Sequence, residues 1–226
     1  MKASAVIVAA GSSRRLPAEK RKPFILVGGK PLLAYTLGKF FHSGSIDTII
    51  LTVNSKDLKL ARALAKKYGY GNRLKIISGG RTRKESVRRG LKEVPNETDY
   101  VVVHDGVRPF FNEKSLSKLL KMAAKHGAAI LAVPVVPTVK KVGKGLFIES
   151  TLDREKLWEA QTPQVFKKEL LEKAHKKFCR QKATDDSSLV ERLGIKVKVV
   201  KGSRKNIKIT TPEDLAAVEL LIKEKS

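Results

Sequence analysis

Short apolar runs alternate with amphipathic stretches along almost the whole chain. Residues 4–9, 47–53, 74–78, 99–104 and 128–136 are runs of small and branched apolar residues, the pattern of buried strands. Between them, residues 31–42, 56–68, 82–93 and 113–126 carry apolar side chains at helical spacing. In the last of these, Leu116, Leu119, Leu120 and Ala123 recur on one face. Strands alternating with helices predict βαβ units and an α/β fold, with a mostly parallel sheet covered on both faces. A helix near 167–178, another near 185–193, a strand at 195–200 and a last helix from 212 continue the series. Thr211, Pro212, Glu213 and Asp214 supply that helix with an N-cap, a first-turn proline and first-turn acids.

Residues 137–155, PTVKKVGKGLFIESTLDRE, break the rhythm. Alternation around Val142-Gly143-Lys144-Gly145 predicts a hairpin rather than another βαβ unit. Its apolar residues Val139, Val142, Leu146 and Ile148 need a cover. A hairpin folded back on its own domain and an arm that grips a second subunit both satisfy that need. With no repeats and no low-complexity linker, one domain spanning 1–226 with an arm at about 137–155 is expected.

Composition narrows the function. A chain of 226 residues with 42% hydrophobic content can bury a sizeable core. No run approaches the ~20 apolar residues of a membrane span, and nothing resembles a signal peptide, so a cytoplasmic setting without membrane contact is expected. The single cysteine, Cys179, excludes an intrachain disulfide and a multi-cysteine metal site, and is read as an inert thiol. The net charge of +25 suits a polyanionic partner, but the lysines are spread over helix faces and both ends. The basic groups that matter are therefore expected on loops beside strand ends.

One such loop opens the chain. Val6, Ile7 and Val8 lead into Ala9, Ala10 and Gly11, and then into Arg14, Arg15, Lys20, Arg21 and Lys22. Small residues at a strand end let backbone N–H groups approach an anion. Arg15 adds a planar fork and Lys22 a mobile point charge. The loop is neither G-x-x-x-x-G-K-[ST] nor G-x-G-x-x-G, so a P-loop and a dinucleotide site have no support. On these residues alone, a glycine turn followed by a solvated basic loop is the plain alternative.

AAGSSRRL, followed by KPF and GGKPL, resembles the nucleotide-binding loop of sugar-phosphate nucleotidyltransferases. Four further stretches narrow the likeness: GGRTRKESV at 79–87, VHDGVRPF at 103–110, LWEAQTPQVF at 157–166, and TDDSSLVE with GSRKNIKITTPEDL at 184–191 and 202–215. In this order they resemble the 2-C-methyl-D-erythritol 4-phosphate cytidylyltransferases of non-mevalonate isoprenoid synthesis. The resemblance implies a Rossmann-like three-layer sandwich of the nucleotide-diphospho-sugar transferase type, with a protruding β-arm. It implies CTP and methylerythritol phosphate as substrates, Mg²⁺ as cofactor and a homodimer formed through the arm.

It also implies residue roles. Ala9, Ala10 and Gly11 match the backbone that holds CTP, and Arg15 and Lys22 the basic pair that stabilises the transition state. Gly80 and Ser86 match the cytosine-recognition segment. Asp105, with Gly106 and Arg108 beside it, matches the carboxylate near the metal and ribose. Thr138, Arg154, Thr162 and Lys208 match groups that hold methylerythritol phosphate, with Arg154 and Thr162 coming from an arm region shared between subunits. Two departures stand out. Arg21 precedes Lys22 where the family usually has proline, so Lys20 competes for the role of Lys22. Arg81 replaces an acidic or small residue, and either touches the nucleotide or points to solvent.

The chemistry agrees with these roles. A phosphate monoester is already an ionised nucleophile at neutral pH, so no catalytic histidine is needed. Catalysis reduces to alignment and charge stabilisation as pyrophosphate leaves. His104 is accordingly read as a strand-end residue with a structural hydrogen bond, and His42, His126 and His175 as surface groups. Asp105 is a hard oxygen donor suited to Mg²⁺, though an Asp at a strand end also serves as a cap or turn residue. Trp158 is read as packing at the base of the arm. A cytidylyltransferase for ribitol 5-phosphate is the near rival. A basic nucleic-acid-binding protein is the remote one, and it would need aromatics among the charges. Aromatics are 6% of the chain, and Phe24, Phe40, Phe41 and Phe166 fall where core packing expects them.

Overall fold

The computed structural model describes residues 1–11 and 21–223. The elements run β1 (Ala3–Ala9), β2 (Leu26–Val27), β3 (Lys30–Pro31), α1 (Leu32–His42), β4 (Thr48–Val53), α2 (Leu58–Lys67), β5 (Leu74–Ser78), α3 (Arg83–Leu91) and β6 (Tyr100–Asp105). They continue with α4 (Glu113–His126), β7 (Ala128–Pro134), β8 (Lys140–Val142), β9 (Ile148–Thr151), β10 (Trp158–Lys167), α5 (Lys168–Lys177), α6 (Ser187–Glu191), β11 (Lys198–Lys201) and α7 (Pro212–Lys223).

Among the described residues, the main sheet has the strand order β11-β7-β10-β6-β1-β4-β5. The β1–β4, β1–β6, β4–β5 and β7–β11 pairs are parallel. Strand β10 is antiparallel to both β6 and β7. The strands read as unbroken apolar runs because both faces are covered. In β1, Ala3, Ala5, Ile7 and Ala9 face the core under α1, α2 and α4, whereas Val6 and Val8 face the core under α3, α5 and α6. A third cluster joins Ile25, Val27 and Leu32 to Ile209 and Val218, which seats α7 on the small β2–β3 hairpin.

Local signals fix the helices. Thr82 caps α3 by accepting from Glu85 N, and Asn112 caps α4 by accepting from Lys114 N. Gly127 ends α4 in the left-handed conformation with φ 84°. Gly90 lies inside α3, where glycine costs about 1 kcal/mol relative to alanine. A Cβ there would come within 2.5 Å of Val6 Cγ1, so glycine is what lets α3 lie down on β1.

Two findings depart from expectation. Strand β10 was not foreseen as a strand, because Gln161, Thr162 and Pro163 interrupt its apolar pattern and its register shifts between Ala160 and Gln164. His175 is not a surface group: it is 2% exposed and lies beside Leu171 and Ala174 on the buried stripe of α5. His42 and His126 are exposed.

The hairpin at 137–155 forms its own two-stranded sheet, β8 against β9. The residues of both strands are exposed. Leu146 and Phe147 at the tip are 87% and 77% exposed. Leu146 also holds a positive φ of 63°, a conformation disfavoured for a residue with a Cβ. Trp158 stands at the arm's base opposite Pro134, and is 44% exposed.

Candidate active site

The chain leaves β1 toward β4 and β5 on one side and enters β6 on the other. Strand order therefore reverses beside β1, and a ligand is expected beyond the carboxyl ends of these strands. A cleft of about 440 Å³ lies there, within the size range of small-molecule sites. Its floor is Val8, Ala9, Ala10 and Gly11 from the end of β1, with Asp105 from the end of β6. Gly80, Arg81, Arg83 and Ser86 form one wall, and Lys22, Lys208 and Thr210 the other.

The first wall is held by Ser86. Its Oγ accepts from Gly80 N at 3.0 Å and donates to Thr82 O at 2.9 Å. Glu85 closes the same turn by accepting from Arg81 N at 2.8 Å, and pairs with Arg89. The opposite wall is pinned to the sheet. Ile209 N donates to Val107 O, and the buried Asn206 side chain donates to Thr162 O. Gln161 Nε2 donates to Ser203 O. This brings Lys208 over the cleft, with Nζ 2.9 Å from Asp105 Oδ2. Lys22 Nζ donates to Thr210 O at 3.2 Å, so both lysines converge on one segment. Arg21 turns elsewhere, onto Asp57 at 2.6 Å and Lys56 O.

Asp105 is ringed by cations. Arg83 Nε reaches Oδ1 at 3.0 Å, and Arg108 Nε approaches Oδ2 at 3.4 Å. Burial by itself would raise the carboxyl's pKa, but Arg83 and then Lys208 outweigh it and hold Asp105 well below the usual carboxylate range. Its backbone N–H donates to Thr162 Oγ1 at 3.1 Å. Thr162 therefore lies inside β10 behind Asp105, not on the arm, which corrects the expectation that an arm region supplies it. Gly106 N donates to Val8 O, and a Cβ on Gly106 would stand 3.0 Å from that of Ala9.

His104 faces the other way along β6. It sits against Phe40 and Phe111, and its Nε2 donates to Arg108 O at 2.9 Å, the structural role expected of it. Burial depresses its pKa to about 3. The unfolded chain, with an imidazole near pKa 6.5, binds a proton between these values while the fold does not. Stability should therefore fall as pH drops from about 6.5, by at most about 1.4 kcal/mol per pH unit. Denaturant titrations of the ligand-free protein at pH 7 and 5 should show this loss. His104→Gln should remove most of it; equal losses in both proteins would refute the assignment.

Of the residues singled out in the sequence, Ala9, Ala10, Gly11, Lys22, Gly80, Ser86, Asp105 and Lys208 meet at the cleft. Gly106, Arg108 and Thr162 support Asp105 from behind. Arg15 and Lys20 lie outside the described residues. Thr138 and Arg154 are exposed on and beside the arm and do not line this cleft; Arg154 Nη1 donates to Val136 O at 2.8 Å. Sequence reasoning passed over Arg83, Asp186 and His175. All three lie in or near the quoted stretches, but their roles depend on pairings between α3, α5 and α6.

The profile of the family described as IspD, 2-C-methyl-D-erythritol 4-phosphate cytidylyltransferase, matches residues 3–224. The chain belongs to this family. A member from Syntrophus aciditrophicus is 45% identical over 99% of this chain and 97% of that protein. One from Halalkalibacterium halodurans is 44% identical over 100% and 99%. Among solved structures, the 4-diphosphocytidyl-2C-methyl-D-erythritol synthase of Anaerococcus prevotii superposes with a TM-score of 0.87 at 35% identity, covering 98% of this chain and 96% of that one. The Thermus thermophilus cytidylyltransferase gives 0.79 at 31%, covering 99% and 100%. The family's reaction joins CMP from CTP to methylerythritol phosphate with release of pyrophosphate, the activity implied by the motifs. The chain has the Rossmann-like fold and mostly parallel sheet of these neighbours. No helix among the described residues is long and apolar enough to cross a membrane.

Proposed function

We propose that the cleft runs this reaction with CTP laid along the end of β1. The observation that carries the reading is the convergence of Lys22 and Lys208 beside Asp105, across from the small Ala9-Ala10-Gly11 floor. Ala9, Ala10, Gly80 and Ser86 hold the cytosine, largely through backbone. Gly11, Arg15 and Lys22 take the triphosphate. A phosphate oxygen of methylerythritol phosphate attacks the α-phosphorus; the α–β bridging bond breaks and pyrophosphate leaves with the electron pair. No proton moves in this step, so the cationic side chains supply the catalysis by stabilising charge.

Asp105 fits Mg²⁺ as a single carboxylate beside a phosphate site, the usual way in which this cation is held. Asp105, with Gly106 at its back, would hold the ion, which would bridge and neutralise phosphate oxygens. Lys208 shares Oδ2 and can shift to a phosphate. No cluster of three or more His, Cys, Asp or Glu offers a rival metal site among the described residues.

Methylerythritol phosphate is held by Lys208, with Arg108 and Thr162 behind it, and by Thr138 and Arg154 of a second copy's arm. The support for that homodimer is the apolar surface the arm leaves uncovered: Val142, Leu146, Phe147, Ile148 and Leu152. In this reading residues 1–226 are one nucleotidyltransferase domain with a dimerisation arm at 137–155, working in the cytoplasm.

Pyrophosphate release tests the reading. CTP with methylerythritol phosphate should react, and ribitol 5-phosphate should compete poorly. A base pocket sized for one ring should make ATP and GTP poor donors. CTP with Mg²⁺, not an oligonucleotide, should raise the melting temperature. Comparable kcat/KM for ATP and CTP would refute the base pocket, and preferred turnover of ribitol phosphate would reassign the substrate.

A further inference from the structure

Arg83 opens α3 under the cleft, and its guanidinium joins two carboxylates from different parts of the fold. Nε donates to Asp105 Oδ1 at 3.0 Å, and Nη1 to Asp186 Oδ2 at 2.6 Å. The other oxygen of Asp186 accepts from His175 Nε2 at 2.9 Å. Asp186 and His175 are 1% and 2% exposed. The two acids of the Asp185-Asp186 pair divide their work. Asp185 accepts from Ser188 N at the start of α6 and from Gln164 Nε2 of β10, which leaves Asp186 to face Arg83. Burial works against the charge on Arg83, but Asp186 and then Asp105 outweigh it and raise its pKa. Thus α3, α5 and α6 are tied by a chain of charges that ends on the strand-end carboxylate.

Such a chain is a poor device for stability alone. Desolvating several charges costs about as much as their pairing returns, and apolar side chains of similar volume do as well or better. Its position suggests another use. Arg108 and Lys208 both address Oδ2, and only Arg83 among the described residues holds Oδ1. A carboxylate held on one side alone is free to turn about its last bond.

We propose that Arg83 is a positioning residue for cytidylyl transfer: it clamps Asp105 through Oδ1 and keeps Oδ2 turned into the cleft, with Asp186 and His175 bracing the clamp. The inference rests on the assignment of Asp105 to the nucleotide and metal made above. The clamp acts through Asp105 and not on the nucleotide directly, so its effect must vanish once Asp105 is altered.

That dependence is the test. The four proteins are wild type, Arg83→Gln, Asp105→Asn and the double variant, assayed at saturating CTP, methylerythritol phosphate and Mg²⁺. CTP affinity is also measured calorimetrically with and without Mg²⁺. Arg83→Gln should lower kcat about 10–100-fold, the usual effect of removing a group that orients a ligand-holding side chain. The gain in CTP affinity brought by Mg²⁺ should shrink with it. The double variant should match Asp105→Asn within about twofold, since coupled residues are not additive. Arg83→Lys keeps the charge but spans one carboxylate at a time, so it should stay impaired. If Arg83→Gln does not fold, Arg83→Lys with and without Asp105→Asn gives the same comparison. Losses that multiply in the double variant, or a near-normal kcat in every Arg83 variant, overturn the clamp. A normal kcat in Asp105→Asn is a different failure, and overturns the assignment of Asp105 itself.

Discussion

Lys22→Ala should lower kcat by about a hundredfold or more while weakening CTP binding far less, the behaviour of a donor whose contact strengthens only in the transition state. The reason is where negative charge goes. The ground-state triphosphate is shared among several groups at the cleft, but departing pyrophosphate gathers charge on the leaving oxygen. Lys22 Nζ rests on a neutral carbonyl, Thr210 O, at 3.2 Å. Moving from that carbonyl to a developing oxyanion gains strength as the bond breaks. Arg15→Ala should behave alike. Steady-state kinetics with calorimetric CTP binding decide the matter. A near-normal kcat in Lys22→Ala would transfer the role to Lys20, and equal losses in kcat and CTP affinity would make Lys22 a simple binding residue.

Mixing two inactive proteins should restore activity. Arg154→Ala should raise KM for the sugar phosphate and leave CTP binding nearly unchanged, because the lost contact is a bidentate hold on that phosphate. In a C₂ dimer the two arms exchange, so each site combines Lys22 of one chain with Arg154 of the partner subunit. A mixed dimer of Lys22→Ala and Arg154→Ala then has one site with both lesions and one with neither. With about half of the dimers mixed, roughly a quarter of wild-type activity should return after co-refolding, provided the sites act independently. An inactive mixture in which mixed dimers are detected by mass would mean that Arg154 serves its own chain.

Much of this was legible because the sheet is buried on both faces. Unbroken runs such as Ala5 to Ala9 and Val101 to Val103 leave few readings other than interior strands, and Leu116, Leu119, Leu120 and Ala123 define α4 by spacing alone. The cleft was legible for a related reason: small residues at a strand end, next to cations, have few structural uses. Strand β10 was hidden because Gln161 and Thr162 face loop groups and the Asp105 backbone rather than core. Nothing local distinguishes such residues from a loop. His175 was missed although its spacing from Leu171 and Ala174 was visible, since its polarity argued against burial and its partner Asp186 lies on another element. Arg83 could not be separated from the neighbouring Arg81, because what sets it apart is two carboxylates brought near only by folding.

The place of β10 has a consequence for how the chain is made. β6 ends at Asp105 and β7 at Pro134, but the strand that joins them begins only at Trp158. A growing chain at about 5–20 residues per second therefore carries two apolar strand edges unmatched for several seconds while the arm is synthesised. Open edges of this kind invite pairing between chains. A ribosome that stalls within the arm would release a fragment prone to aggregate, and the charged residues Lys140, Lys141, Lys144 and Glu149 of the arm itself then stand as the nearest deterrent to association.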